Sequence, residues 1–238
     1  MEILTREIGL SNVFVIRDEK TVIIDTGCYR NKAGFANELY LMGVKPEEIS
    51  LIIVTHGHFD HCGNLGVLKE LTGAPILAHK NAVHFLETGE FAPYVTRGKW
   101  GQQFFDMVSG SPLDVPTGIT PDIVVGDDDF DLKPYGINGK IVYSPGHVNS
   151  NISVILDSGE AFVGDTIVIN PFNDFKGTGA LFCDDREALD RSLERLYKEA
   201  NVYYSGHGGP FTKEQIQVDP EEWRSKSQVF VTLGSFYG

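Results

Sequence analysis

The sequence predicts an α/β fold, and two observations carry the prediction. Short β-branched runs such as Leu51-Ile52-Ile53-Val54 read as buried strands, and several end on a histidine or aspartate beside glycine. Helical patterns lie between these runs. The clearest covers Asp185–Ala200, where Leu189, Leu193, Leu196 and Tyr197 share one face and Asp184 and Asp185 open the segment, where the helix dipole favours acid.

In chain order, strands are expected near Ile3–Ile8, Val13–Arg17, Thr21–Asp25, Leu51–Thr55 and Pro75–His79, then Lys140–Ser144, Ile152–Asp157, Ala161–Gly164 and Val202–Ser205. Helices are expected over Lys32–Met42, Asn64–Leu71, Asp185–Ala200 and Thr212–Gln217. A chain of 238 residues can bury the core of one two-layer domain or two small ones. No linker-like stretch and no solenoid repeat divides it, so residues 1–238 are read as one domain.

Two segments stand apart. Residues 81–139 carry Phe91, Tyr94, Arg97, Lys99, Trp100, Phe104 and Phe105 on no clear period. They read as a lid or pocket wall, or alternatively as a helical excursion burying its own aromatics. Tyr94, Arg97, Lys99 and Trp100 are the substrate-binding candidates there, a cation pair beside aromatics suited to a carboxylate or phosphate. The tail over 219–238 holds Trp223, Phe230, Leu233 and Phe236 and is expected to dock on the domain or on a second copy, as in a homodimer.

Composition narrows the partners to a small-molecule substrate. The formal charge of −13 disfavours binding to a phosphate backbone, and no stretch approaches a membrane span. The N-terminus lacks a signal core, and Cys28, Cys62 and Cys183 are an odd, widely spaced set. Reduced thiols and a cytoplasmic location are expected.

The chemistry concentrates in His56-Gly57-His58-Phe59-Asp60-His61, which spends three of the seven histidines in six residues. Imidazole nitrogens and a carboxylate packed this closely suit a transition metal. They follow a buried strand and precede a helix, the strand-end position where open α/β sheets place their sites. The same grammar recurs: Tyr143-Ser144-Pro145-Gly146 delivers His147, Phe162-Val163-Gly164 delivers Asp165, and Tyr204-Ser205-Gly206 delivers His207. Glycine lets the backbone turn tightly at each strand end. Earlier, Thr21-Val22-Ile23-Ile24 ends in Asp25-Thr26-Gly27.

This set closely resembles the metallo-β-lactamase-fold superfamily: an aspartate after an early strand, His-X-His-X-Asp-His, then a distant His, Asp and His. The resemblance spans Asp25 to His207. It implies a four-layer αββα sandwich of two mixed β-sheets flanked by helices, with metals at one edge. It implies further that His56, His58 and His147 hold one divalent ion, that Asp60, His61 and His207 hold a second, and that Asp165 bridges them. Asp25 would orient the ligands from behind by hydrogen bonding. Zinc is the expected metal pair, with iron or manganese as alternatives, since His/Asp sites accept all three.

Departures from the pattern narrow the subfamily. Zinc β-lactamases typically carry cysteine or serine at the position of Asp165, and flavodiiron proteins carry glutamate at that of His58. The set is glyoxalase II-like or lactonase-like, but the 31 residues after His207 are too few for a glutathione-binding region. A metal-dependent hydrolase of a small ester, thioester or lactone is therefore expected, using a metal-bridging hydroxide, with Asp60 the carboxylate beside the nucleophile. The alternatives are an iron-dependent oxidoreductase akin to persulfide dioxygenases, or a phosphodiesterase or nuclease. Cys62 reads as a small packing residue. His79 and His84 match no motif position.

Overall fold

The computed structural model describes residues 1–28, 31–90, 118–171 and 174–217. A first sheet runs in chain order: β1 (Glu2–Ile8), β2 (Ser11–Arg17), β3 (Thr21–Ile24), β4 (Ile49–Ile53), β5 (Ile76–His79) and β6 (Ile123–Val125). Its first three strands form an antiparallel meander, and β3 to β6 are parallel, joined by crossovers that carry α1 (Lys32–Leu41), α2 (Phe59–Cys62), α3 (Leu65–Thr72) and α4 (Val83–Thr88).

The second sheet comprises β7 (Phe130–Asp131), β8 (Gly139–Tyr143), β9 (Ile152–Leu156), β10 (Glu160–Phe162), β13 (Val202–Tyr204) and β14 (Phe211–Thr212), ordered β14-β13-β10-β9-β8-β7. A small third sheet of β11 (Ile167–Asn170), β12 (Lys176–Gly179) and β15 (Ile216–Gln217) flanks it. Helix α5 (Arg186–Glu199) connects β12 to β13, and Asp185 caps it by accepting from Ala188 N at 3.0 Å.

Strand periodicity produces the layering. Along β2, Val13 and Val15 enter a core with Phe35, Leu39, Leu65 and Leu68 of α1 and α3, whereas Phe14 and Ile16 enter the core between the sheets. In β4 and the residue after it, Ile52 and Val54 face the helices, and Leu51 and Ile53 face the opposing sheet. A strand buried on both faces shows no polar alternation, which is why this run is continuously apolar. The second sheet repeats the arrangement: Ile141, Val154 and Phe162 meet the first sheet, while Val142, Ile155 and Ala161 pack under Leu189, Leu193 and Leu196 of α5. Helix, sheet, sheet and helix thus stack in four layers, as expected. Each large apolar side chain fully buried contributes about 1.5–3 kcal/mol before entropy is counted.

One expected helix is absent. Thr212–Gln217 is a three-residue 3-10 turn, Lys213–Gln215, between β14 and β15. Thr212 and Gln215 close it with reciprocal capping bonds, while Phe211 and Ile216 on either side are drawn into the core under α5. Burial of those two residues overrides a weak helical pattern. Strands β6, β7, β11, β12, β14 and β15 have no counterpart among the strands expected from the sequence. Of residues 81–139, both ends belong to the fold as α4, β6 and β7. Tyr94, Arg97, Lys99 and Trp100 lie outside the described residues, as does the tail over 219–238.

Candidate metal centre

Strands β8 and β10 both pair antiparallel with β9, and β13 runs parallel to β10. Their carboxyl ends therefore share one edge of the second sheet, and the loops after them carry His147, Asp165 and His207 to the same place. Across the sandwich, β3 and β4 are parallel and deliver Asp25 and His56. His58 stands at the entry to α2, a single helical turn that holds Asp60 and His61. All seven ligand candidates thus meet at one edge of the sandwich, together with Asp25.

On one side, His58 Nδ1 lies 3.1 Å from His56 Nε2 and 3.0 Å from His147 Nε2. On the other, His207 Nε2 lies 3.1 Å from Asp60 Oδ2 and 3.2 Å from Asp165 Oδ2. His61 Nε2 lies 3.3 Å from Asp165 Oδ1 and 3.6 Å from Asp60 Oδ2. Asp165 faces both sides, its Oδ2 also 3.7 Å from His147 Nε2. Three trios can each offer ligand atoms within 4.8 Å of one another: His56/His58/His147, Asp60/His61/His207 and His56/His61/Asp165.

Hydrogen bonds behind the rings set which nitrogen faces inward. His147 Nδ1 donates to the Phe182 carbonyl at 2.9 Å, and His61 Nδ1 to Asp25 Oδ2 at 2.8 Å. Thr55 Oγ1 gives its proton to Asp25 Oδ2 at 2.8 Å, so it accepts from His56 Nδ1 at 3.0 Å. With Nδ1 directed outward in all three, each Nε2 faces the centre, carrying a lone pair in His56 and His147 and gaining one in His61 once its second proton is lost. Asp25 also accepts from Thr55 N at 2.7 Å, and it holds a left-handed φ of 60°, uncommon for a residue with a Cβ.

The two sides differ electrostatically. Burial, reinforced by neighbouring imidazoles, holds His56 and His58 well below the usual histidine range, and burial also lowers His147. Burial alone would lower His61 too, but the carboxylates of Asp165, Asp60 and Asp25 outweigh it and raise it well above that range. His207 behaves likewise: its burial is overcome by Asp165 and Asp60, which push it up to about 10. Reciprocally, against the cost of burial, His61 and His207 pull Asp60 down to about 2, and His207 and His61 hold Asp165 well below the carboxylate range.

These residues fit a metal centre. His61 Nε2 and Asp165 Oδ1 are buried and face each other at 3.3 Å without a well-formed hydrogen bond, and buried polar atoms seek better partners than that. In the first trio, two lone-pair nitrogens both face His58 Nδ1, which can donate to only one of them at a time. Bound cations would satisfy these atoms on each side.

Cys62, His79 and His84 stand outside the cluster of ligand atoms. Cys62 is buried, its Sγ 3.1 Å from the His58 carbonyl, and burial followed by the charges of Asp60 and Asp25 raises its thiol far above the range of a nucleophile. His79 stacks on Tyr143 with ring centroids 4.4 Å apart, and its Nε2 meets Asp127 at 3.2 Å. His84 lies exposed against Glu90. Two groups with a role here escaped the sequence: Thr55, read only as a strand end, and the Phe182 carbonyl, which has no side-chain signature.

A four-layer sandwich with a His/Asp cluster at one sheet edge defines a class of metal-dependent enzymes. The model of the metallo-beta-lactamase superfamily matches residues 6–207, and the chain belongs to that superfamily. A probable metallo-hydrolase of Methanocaldococcus jannaschii is 30% identical over 203 residues, covering 83% of this chain and 87% of its own. Among solved structures, the BLEG-1 B3 metallo-beta-lactamase shares the fold with a TM-score of 0.65 at 19% identity, covering 90% of this chain and 95% of its own. TTHA1623, solved in a di-iron-bound form, shares it with a TM-score of 0.61 at 20% identity, covering 89% and 94%. A Bacillus subtilis relative, 25% identical over 234 residues, is likewise named a probable metallo-hydrolase. No helix among the described residues is long and apolar enough to cross a membrane.

Proposed function

We propose that this metallo-hydrolase is dinuclear and cleaves a small ester, thioester or lactone. The observation that carries the reading is the position of Asp165 between two sets of ligand atoms, 3.7 Å from His147 on one side and 3.2–3.3 Å from His207 and His61 on the other. His56, His58 and His147 would hold one divalent ion, Asp60, His61 and His207 the other, with Asp165 shared. When bound, such a pair supplies a water that ionises near neutral pH and a Lewis acid for the substrate's carbonyl oxygen.

The protein's own groups orient this chemistry. Asp25, Thr55 and the Phe182 carbonyl lock three imidazoles with Nε2 inward. Asp60 lies 7% exposed at the cluster and would be the carboxylate nearest a metal-held water. Committed as a ligand and held near a pKa of about 2, it is a poor proton donor to an amide nitrogen. Esters and thioesters leave without that proton, which favours them over penicillins and cephalosporins. Tyr94, Arg97, Lys99 and Trp100 remain our candidates for binding the far end of the substrate.

The second reading is an iron-dependent oxidoreductase, favoured by the di-iron-bound relative of the same fold. A nuclease or phosphodiesterase fits less well with a net charge of −13. The test is metal analysis of aerobically and anaerobically purified protein, followed by thioester, lactone, phosphodiester and β-lactam panels beside oxygen uptake. Ester or thioester turnover without oxygen consumption is expected. Robust β-lactam turnover alone, or iron-dependent oxygen uptake, overturns the proposal.

A further inference from the structure

Three of the cluster's imidazoles are aimed by an oxygen behind Nδ1; His207 is not. Among the described residues nothing receives a hydrogen bond from its Nδ1, and its side chain is 24% exposed, the most open of the ligand candidates. The direction of its ring therefore depends on how its backbone is held. That backbone is gripped from the other end of the chain, by the residues just past the β1–β2 turn.

Asn12 N donates to the Gly206 carbonyl at 2.8 Å. The two protons of its side-chain amide go to the carbonyls of Ser205 and Gly208, each at 3.0 Å. One residue thus ties down three of the four carbonyls in the Ser205–Gly208 loop, on both sides of His207. The fourth, that of His207 itself, accepts from Ile169 N at 2.9 Å. The neighbouring Ser11 Oγ donates to the Asp60 carbonyl at 2.5 Å. The same dipeptide therefore anchors the loops of two ligand candidates whose reacting atoms, His207 Nε2 and Asp60 Oδ2, are 3.1 Å apart.

We infer that Asn12 is a positioning residue for the second metal ion, fixing the loop that aims His207 and so replacing the ring hydrogen bond that His56, His61 and His147 have. The inference rests on the two-metal reading above. The demand is specific to an amide: two donors leaving one nitrogen for two carbonyls are available to asparagine, one to serine, and none to the isosteric aspartate.

The experiment uses Zn2+ titrated into the metal-stripped full-length chain against a chromophoric chelator, which yields stepwise dissociation constants. In Asn12→Ala and Asn12→Asp the weaker constant is expected to rise about 10- to 100-fold, the scale typical of lost ligand-orienting partners, with the tighter constant within about threefold of wild type. Asn12→Ser falls between and serves where the other variants fail to fold. In a His207→Ala background, Asn12→Ala should change nothing further in metal retention. Equal weakening of both constants, or of neither, overturns the inference, because a merely structural role would not single out one site. A wild-type chain that takes up a single Zn2+ instead refutes the two-metal reading. Histidine ring 1H–15N spectra then decide the role of Asn12 independently: in Asn12→Ala the His207 ring signals should move while those of His61 stay, and unmoved His207 signals overturn it.

Discussion

Asp25 Oδ2 accepts the Nδ1 proton of His61 at 2.8 Å with both side chains fully buried, while its other oxygen takes the Thr55 amide at 2.7 Å. Asp25 touches none of the inward-facing ligand atoms, yet it aims one imidazole and pins the strand end that presents another. Asp25→Ala would strand three donors in the interior: Thr55 N, Thr55 Oγ1 and His61 Nδ1. Removing one partner of a buried, hydrogen-bonded pair costs about 3–5 kcal/mol. Chemical denaturation of the metal-stripped variant is expected to read a loss of this size; a loss below about 1 kcal/mol would contradict the assignment.

Asp165 and His207 should fail differently. Asp165 neighbours both ligand sets, so Asp165→Ala is expected to lower occupancy at both, whereas His207→Ala removes the second ion and largely spares the first. Metal analysis after gel filtration distinguishes them. Two ions retained with wild-type turnover in Asp165→Ala would refute the bridging role, and equal losses in His207→Ala would refute the division of ligands.

Protons report the same division. In the polypeptide alone His207 is pushed up to about 10 and His61 is raised, so both are imidazolium at neutral pH and must lose a proton to ligate. His56, His58 and His147 are already neutral there. Filling the first site at pH 7.5 should release almost no protons from these groups, and filling the second about two. Affinity at the second site should climb with pH toward 10, and that of the first should stay flat above the ordinary histidine value of 6.5. Calorimetry in buffers of different ionisation enthalpy counts the protons. The metal-stripped fold runs the opposite way: the folded-state pKa of His207 lies above 6.5, so its stabilising ion pairs are complete below that value and fade as pH rises through about 10.

At Gly206 the backbone passes close against the centre. A Cβ there would stand 2.4 Å from His61 Cε1 and 2.5 Å from Asp165 Oδ1. Neither neighbour can retreat easily, since Asp25 holds the His61 ring and Asp165 lies among the ligands. Gly206→Ala is expected to cut metal affinity at least tenfold while the second sheet still forms, read by metal competition and circular dichroism. Wild-type affinity in that variant would show that the loop relaxes freely.

The inner strands of both sheets, though not the edge strands β6, β7 and β14, were legible because burial on one or both faces leaves a period-two or continuous apolar record, as in β2 and β4. Helix α5 was legible from its apolar stripe and its acidic start. The turn at Lys213–Gln215 was misread as helix because the cue that matters, burial of Phe211 and Ile216 under α5, comes from residues remote in the chain.

By itself the sequence determined which residues are the candidate ligands and their order along the chain, since a histidine or aspartate placed beside glycine after an apolar run shows locally. Only the tertiary structure decided which nitrogen of each imidazole faces inward, because the partners that choose it are Asp25, Thr55 and the carbonyl of Phe182. It alone decided that Asn12 closes on the Ser205–Gly208 loop from the far end of the chain. Carbonyl oxygens are present in every residue and carry no side-chain signature, so the bonds that aim a ligand become visible only once the chain has brought them together.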